Sequence, residues 1–436
     1  GIHRAYFGAG SDMVETNTFG ASSVTLGEFD LADKAFEINK RAAELAREAA
    51  DGFADGRDRW VLGSVGPGTK LPTLGNIAYD PLEDALAEQC AGLIAGGADA
   101  ILIETCQDPL QIKAAVNGAK RARAAARTDT PIFVQGTVET TGTLLVGPDI
   151  AAAAAVVEAL GVPMLGLNCA TGPREMAEHL GWLSRNWTGL LSVQPNAGLP
   201  ELVDGRTHYP LGAAELATWM ERFVAEDGVN LIGGCCGTTD VHIQALDAML
   251  RARSPVPRPA PVARKAVWMP SVASLYQPMP LRQENAFFAI GERCNANGSK
   301  KWRELQESAD WDGCVAMGRE QIAEGSHALD VCTAFVGRDE MAEMTEIVRR
   351  FTASVNSPLV IDSTETPVLE AALKLHGGKA IINSINFEDG EQHADDRMVL
   401  ARRFGAAVVA LTIDEAGMAK TAEDKLRIAR RLVEFA

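Results

Sequence analysis

Short apolar runs recur along the chain, separated by stretches with helical periodicity. The strand-like runs in the first part lie at 12–16, 60–65, 100–104, 132–136, 164–168, 190–194 and 230–233. Most are rich in Leu or β-branched residues and read as buried on both faces, the pattern of parallel strands. Segments 34–50, 82–95, 110–126, 150–160, 174–185 and 213–226 carry apolar residues at helical spacing with charges on the opposite face. Repeated strand–helix units predict a parallel sheet. Seven such units before residue 254 suit a (β/α)8 barrel, typically of about 250 residues, better than an open doubly wound sheet.

The rhythm breaks where Pro255, Pro257, Pro259, Pro261, Pro270, Pro278 and Pro280 follow one another. Proline continues neither a helix nor an inner strand, so 254–284 is expected to be a semi-rigid linker. Strand-like runs resume at 287–291, 328–331, 359–362, 380–385 and 406–412, and an amphipathic stretch follows at 422–435. The expected organisation is a first domain over 1–253, the linker over 254–284 and a second α/β domain over 285–436. In fold class this is α/β, with two tandem TIM-type (β/α)8 barrels. The first would lack its first strand, because 2–9 reads as a helix ahead of the run at 12–16. The second would lack its last three strand–helix units. The chain would thus be a fragment at both ends, with the strands at 12–16 and 406–412 unpaired on one side.

Composition narrows the functional classes. The 436 residues are 47% apolar and 23% charged, which excludes pervasive disorder. A net charge of −17 argues against a nucleic-acid partner held by phosphate contacts. No apolar run approaches the ~20 residues of a membrane span, and no apolar stretch follows Gly1-Ile2-His3-Arg4 as in a signal peptide. Eight cysteines spread over so long a chain are not a disulfide scaffold. They suggest a reducing, cytoplasmic setting in which grouped cysteines bind metal or catalyse.

Three of the cysteines fall at strand ends: Cys169 after Gly166-Leu167-Asn168, and Cys235 with Cys236 inside Gly233-Gly234-Cys235-Cys236-Gly237-Thr238. Parallel strands of a barrel end at one rim, so these residues become neighbours despite their separation in sequence. Three thiolates with an open fourth position form a catalytic zinc pattern. Such a site holds a fourth thiolate well and lowers a bound thiol's pKa, which suits alkyl transfer to sulfur rather than hydrolysis. Cys90, Cys106 and Cys314 have no such company and read as core residues.

These segments, with Glu15-Thr16-Asn17-Thr18-Phe19, resemble the homocysteine S-methyltransferase domain. Gly291-Glu292-Arg293-Cys294-Asn295, Ile361-Asp362-Ser363 and Ile382-Asn383-Ser384-Ile385 resemble the methyltetrahydrofolate-binding domain. In this order the two are similar to the N-terminal half of the cobalamin-dependent methionine synthase family. The resemblance implies zinc on Cys169, Cys235 and Cys236, with Glu104 meeting the ammonium of homocysteine and Asn196 a polar contact to it. It further implies that Glu292, Asn295, Asp330, Asp362 and Asn383 read a pterin edge, Asp330 being the weaker of these. Asp414 is a weaker candidate.

The reaction implied is attack of a zinc-activated homocysteine thiolate on methylcobalamin, giving methionine. 5-Methyltetrahydrofolate would then remethylate cob(I)alamin, with the corrinoid carried by a cobalamin-binding domain outside this chain. Two departures stand out: Cys294 replaces a usual Thr, and Cys332 follows Asp330-Val331 where Asn is usual. Two other readings compete: a cobalamin-independent homocysteine S-methyltransferase, which needs no pterin site, and a non-catalytic zinc-binding module.

Overall fold

The run beginning at residue 100 shows why these segments become strands. All seven residues of Ala100–Cys106 are buried. A parallel strand covered on both faces hides every side chain of such a run. In chain order the strands of its sheet are β1 (Met13–Glu15), β2 (Trp60–Val65), β3 (Ala100–Cys106), β4 (Ile132–Gly136), β5 (Met164–Asn168), β6 (Leu190–Gln194) and β7 (Leu231–Ile232). They pair in that order, all parallel. Among the described residues β1 and β7 are the two edges. A cavity of about 1290 Å³ is lined from both edges, by Met13–Glu15 and Leu231–Cys236 among others.

The structure is a computed structural model that describes residues 1–254, 258 and 260–436. It divides into two compact units, 1–157 with 161–269 and 158–160 with 270–436. In the first unit, the helix Ala35–Asp51 buries Ala35, Asn39, Ala43, Ala46 and Ala50, a face of mostly small side chains at helical spacing. The neighbouring helix Tyr79–Ala95 meets it so closely that a Cβ on Gly92 would stand 2.6 Å from the Phe36 carbonyl oxygen.

The second unit holds β8 (Ile290–Asn295), β9 (Ala328–Cys332), β10 (Leu359–Asp362), β11 (Ile381–Ile385) and β12 (Ala407–Ala410), again parallel and in chain order. Both units are therefore α/β with parallel sheets, and β1 and β12 each have one unpaired side among the described residues.

Several boundaries differ from expectation. Part of the expected linker is ordered: Ser271–Ala273 and Pro278–Pro280 form an antiparallel hairpin. Val272 is fully buried in it and packs with Ala328, Val360 and Ile381. Proline is tolerated there because a two-stranded ribbon is all edge. Pro255, Pro257 and Pro259, the first part of that linker, lie outside the described residues.

The strand expected at 287–291 starts later. Phe287 is 93% exposed, and Phe288 stacks on His327 instead. The helix expected at 213–226 is α-helical over Ala213–Arg222 and then widens into a π turn, Phe223–Asp227, closed by left-handed Gly228. The helix Asp240–Arg253, opened by a Thr239–His242 capping box, and the hairpin Glu201–Val203 with Arg206–His208 were not anticipated. Among the described residues no helix is long and apolar enough to cross a membrane.

Candidate metal centre and carboxylate–amide rim

Cys169 follows the last residue of β5, and the chain turns there through two left-handed residues, Cys169 (φ +60°) and Ala170 (φ +54°). The segment after β6 holds both cysteine loops. The Cys169 N–H donates to the Gln194 carbonyl (3.1 Å) and the Cys235 N–H to that of Pro195 (2.8 Å). Asn196, 3% exposed, accepts the Cys236 N–H on Oδ1 at 3.1 Å.

The sulfurs of Cys169 and Cys236 are 3.9 Å apart and those of Cys235 and Cys236 4.0 Å. All three lie within 4.8 Å of one another. Tetrahedral Zn–S bonds of about 2.3 Å require sulfurs about 3.8 Å apart, so this donor set fits zinc with a fourth position to spare. Tyr209 stands beside the cluster, where its phenol favours the Cys236 thiolate. Its ring occupies the place of a Cβ on Gly237, which has φ +80° and would put that atom 2.3 Å from the Tyr209 Cγ.

Without metal the three thiols compete to be the one that ionises. A hydrogen bond from Cys235 is the foremost cause that lowers Cys169 to about 6. The same bond is foremost in pushing Cys235 up, and burial raises Cys236. Cys90, Cys106 and Cys314 are fully buried, as read from sequence.

A second group of polar residues lies inside the sheet. Glu104, 6% exposed, accepts the Ser64 hydroxyl on Oε1 (2.5 Å) and the Asn168 amide on Oε2 (3.3 Å). Burial first, and then the charge of Glu15, raises its carboxyl to about 8. A bulge in β3 and left-handed Thr105 (φ +56°) end the regular pairing there. Asn168 fastens the bulge, accepting the Thr105 N–H and donating to its hydroxyl, both at 2.8 Å. On β1, Glu15 accepts one bond, from Gln194 Nε2 at 2.7 Å, and burial raises its carboxyl. Gln194 is held in turn by Gln135 at 2.6 Å.

Four of the five pterin candidates of the second unit converge at the ends of successive strands. Asn295 Nδ2 donates to Asp362 (2.8 Å) and Asp330 (3.2 Å), and Asn383 stands beside Asp362 in the pairing of β10 with β11. The other Asp330 oxygen is buried without a partner. Burial, then the charge of Asp362, raises Asp330 to about 7, and burial raises Asp362 as well. Two carboxyls and two amides fixed side by side present donors and acceptors in set directions.

Glu292 stands apart. It is exposed on edge strand β8 and lines a cavity of about 560 Å³ with Ser299, Lys300 and Gln321. Asp414 is not part of the rim; it pairs with Arg427 at 2.8 Å. Cys294 and Cys332 are buried, pushed up by burial to about 12 and about 11, and accept bonds from Gln321 and Asn297.

Sequence reasoning did not single out Glu15, Asn168, Gln194, Tyr209 or buried Arg397. Arg397 donates to the carbonyls of Ser384 (2.7 Å) and Thr364 (2.6 Å) and ties two rim loops together. Glu15 alone carried a usable signal, as the first residue of Glu15-Thr16-Asn17-Thr18-Phe19.

Residues 1–250 match the homocysteine S-methyltransferase family and residues 291–434 the pterin binding enzyme family. The chain is 50% identical over 437 residues to the methionine synthase of Mycobacterium tuberculosis (strain ATCC 25618 / H37Rv), covering 99% of this chain and 36% of that protein. It is 49% identical over 438 residues to the methionine synthase of Mycobacterium leprae (strain TN), with the same coverage. It thus spans 36% of the length of these curated relatives. The oxidised form of the homocysteine methyltransferase MmuM from Escherichia coli aligns with a TM-score of 0.47 at 23% identity, over 58% of this chain and 83% of that one.

Proposed function

The chain belongs to the homocysteine S-methyltransferase family, and from that premise we propose that it carries the homocysteine and methyltetrahydrofolate sites of a methionine synthase. The observation that carries this reading is the sulfur triangle of Cys169, Cys235 and Cys236, with sides of 3.9 and 4.0 Å about the exposed Cys236. These three cysteines would hold zinc, which would supply a Lewis acid that keeps the homocysteine thiol deprotonated near neutral pH.

The residues around it have separable tasks. Asn196 and the backbone of 194–197 hold the cysteine loops in register, and Tyr209 beside Cys236 favours its thiolate. Glu104, oriented by Ser64 and Asn168, supplies negative charge for the ammonium of the substrate. Methylcobalamin, carried by a cobalamin-binding domain outside these residues, would supply the methyl group to the substrate sulfur and be left as cob(I)alamin. In the second unit Asn295, Asp330, Asp362 and Asn383 read the edge of the pterin of 5-methyltetrahydrofolate, which renews the methyl donor. Glu292, apart on the edge strand, acts on that site through its charge, which helps raise Asp330 and Asp362.

The fold reading goes with this. The seven-stranded sheet is a (β/α)8 barrel one strand short, with room for that strand between β1 and β7, and the five-stranded sheet is part of a second barrel. Cysteines that are all free, with a thiolate metal site among them, suit a reducing compartment such as the cytoplasm.

The test is zinc content measured together with homocysteine methylation by free methylcobalamin. The reading expects about one zinc per chain, with methionine formation that is lost when Cys169, Cys235 or Cys236 is changed to Ser. Full activity in zinc-free protein would overturn it.

A further inference from the structure

The helix Glu391–Phe404, which follows β11, buries a cation that no ion pair compensates. Arg397 is 5% exposed, and its Nε is buried without a partner. Among the described residues no carboxylate bonds to it; Asp389 and Glu365 act on it only through their charge. Its two terminal nitrogens are spent on backbone: Nη1 donates to the Ser384 carbonyl (2.7 Å) and Nη2 to the Thr364 carbonyl (2.6 Å). Nη2 also donates to His393 Nε2 (2.7 Å), one turn earlier on the same helix, which fixes the plane of the fork. Thr364 lies two residues after Asp362, and Ser384 directly after Asn383. Asp362 and Asn383 are themselves register partners in the pairing of β10 with β11. β11 breaks register with β12 between Asn383 and Ile385, so the Ser384 carbonyl sits where the ladder is interrupted. Both strands are paired on both sides, so the bridge owes nothing to a sheet edge. A buried charge without a counter-ion costs stability that an apolar side chain of similar volume would not. What the arginine adds is the bridge.

We propose that Arg397 is a positioning residue for pterin recognition: by bridging the Thr364 and Ser384 carbonyls it fixes how far apart Asp362 and Asn383 stand, and so sets the affinity for the pterin edge. This rests on the methyltetrahydrofolate reading above. A planar guanidinium serves two acceptors at a fixed spacing, whereas a lysine ammonium is a point charge on a flexible stem. Arg397 bonds to the backbone beside the reading side chains rather than to those side chains, so it acts through them.

The experiment measures binding of 5-methyltetrahydrofolate to the whole chain by calorimetry, with the urea unfolding midpoint of each variant alongside. Arg397→Met, which fills nearly the same space without the charge or the fork, should weaken binding about tenfold, within the range for residues that act in one network. Arg397→Lys should lose less. The decisive comparison is made in an Asp362→Asn background, which keeps an acceptor oxygen and so weakens the site without emptying it. There Arg397→Met should cost less than about threefold, because the reader it serves is already impaired. A merely structural arginine would cost the same factor in both backgrounds. Should Arg397→Met fail to fold, Arg397→Lys carries the same comparison, with a smaller loss that likewise shrinks beside Asp362→Asn. Wild-type affinity in Arg397→Met, or an equal loss with and without Asp362→Asn, overturns the inference while the methyltetrahydrofolate reading stands. If wild type does not bind 5-methyltetrahydrofolate, that reading falls and takes the inference with it.

Discussion

A single backbone N–H decides what Asn196 does. The resemblance made it a polar contact to homocysteine. Its side chain is instead turned onto the Cys236 N–H and is 3% exposed. It positions the cysteine loop, and where such a loop holds a metal, contacts of this kind typically tune the affinity by about 10–100-fold. Asn196→Ala should therefore weaken zinc binding by about that factor, measured by competition with a chelator, while the unit stays folded. The cysteine pair was legible because adjacent cysteines flanked by glycines have few other uses. Asn168, Gln194 and Tyr209 were not, because an amide or phenol acquires its role from which neighbour it meets, and those neighbours are distant in sequence. Tyr209 arrives from a hairpin whose six strand residues are all exposed, Leu202 and Val203 included, so no buried face marks it.

At the scale of elements, periodicity found the strands whose side chains are all buried and lost those that mix purposes. β3 was found because nothing in Ala100–Cys106 meets water. β8 was misplaced because polar Glu292, Arg293 and Asn295 fill most of its last four residues, leaving Cys294 as the buried apolar one, while the apolar Phe287 before it stays in solvent. The hairpin at Ser271–Ala273 was hidden by its prolines. Close helix packing gives this scale its test. A Cβ on Gly92 would lie 2.6 Å from the Phe36 carbonyl and 2.9 Å from the Asn39 Cβ, both on the helix Ala35–Asp51. Alanine is worth about 1 kcal/mol over glycine within a helix. Overpacking against a backbone that cannot yield costs about 1–3 kcal/mol. The second effect should win, and Gly92→Ala should lower the urea midpoint rather than raise it.

At the scale of the whole molecule, two parallel sheets each gather polar chemistry at the ends of their strands, and the two sets differ in kind. The first collects sulfur and carboxylate around a large cavity; the second collects carboxyls and amides with no group of three metal-type ligands among the described residues. That division matches a thiol substrate in one unit and a pterin in the other, and it was visible in sequence because both sets sit at strand ends in a repeated strand–helix rhythm. The central claim is that the first unit makes a thiolate out of a substrate thiol. Its most direct test is the rate of homocysteine methylation by free methylcobalamin, followed from pH 8.5 down to pH 6.5 in the zinc-loaded protein. A free thiol has a pKa of about 8.5, so an unassisted reaction would lose close to tenfold per pH unit well below it. The account predicts a rate that falls by no more than about threefold over that range, because the bound sulfur is already ionised. A rate that drops about tenfold for each unit below 8.5 would contradict it.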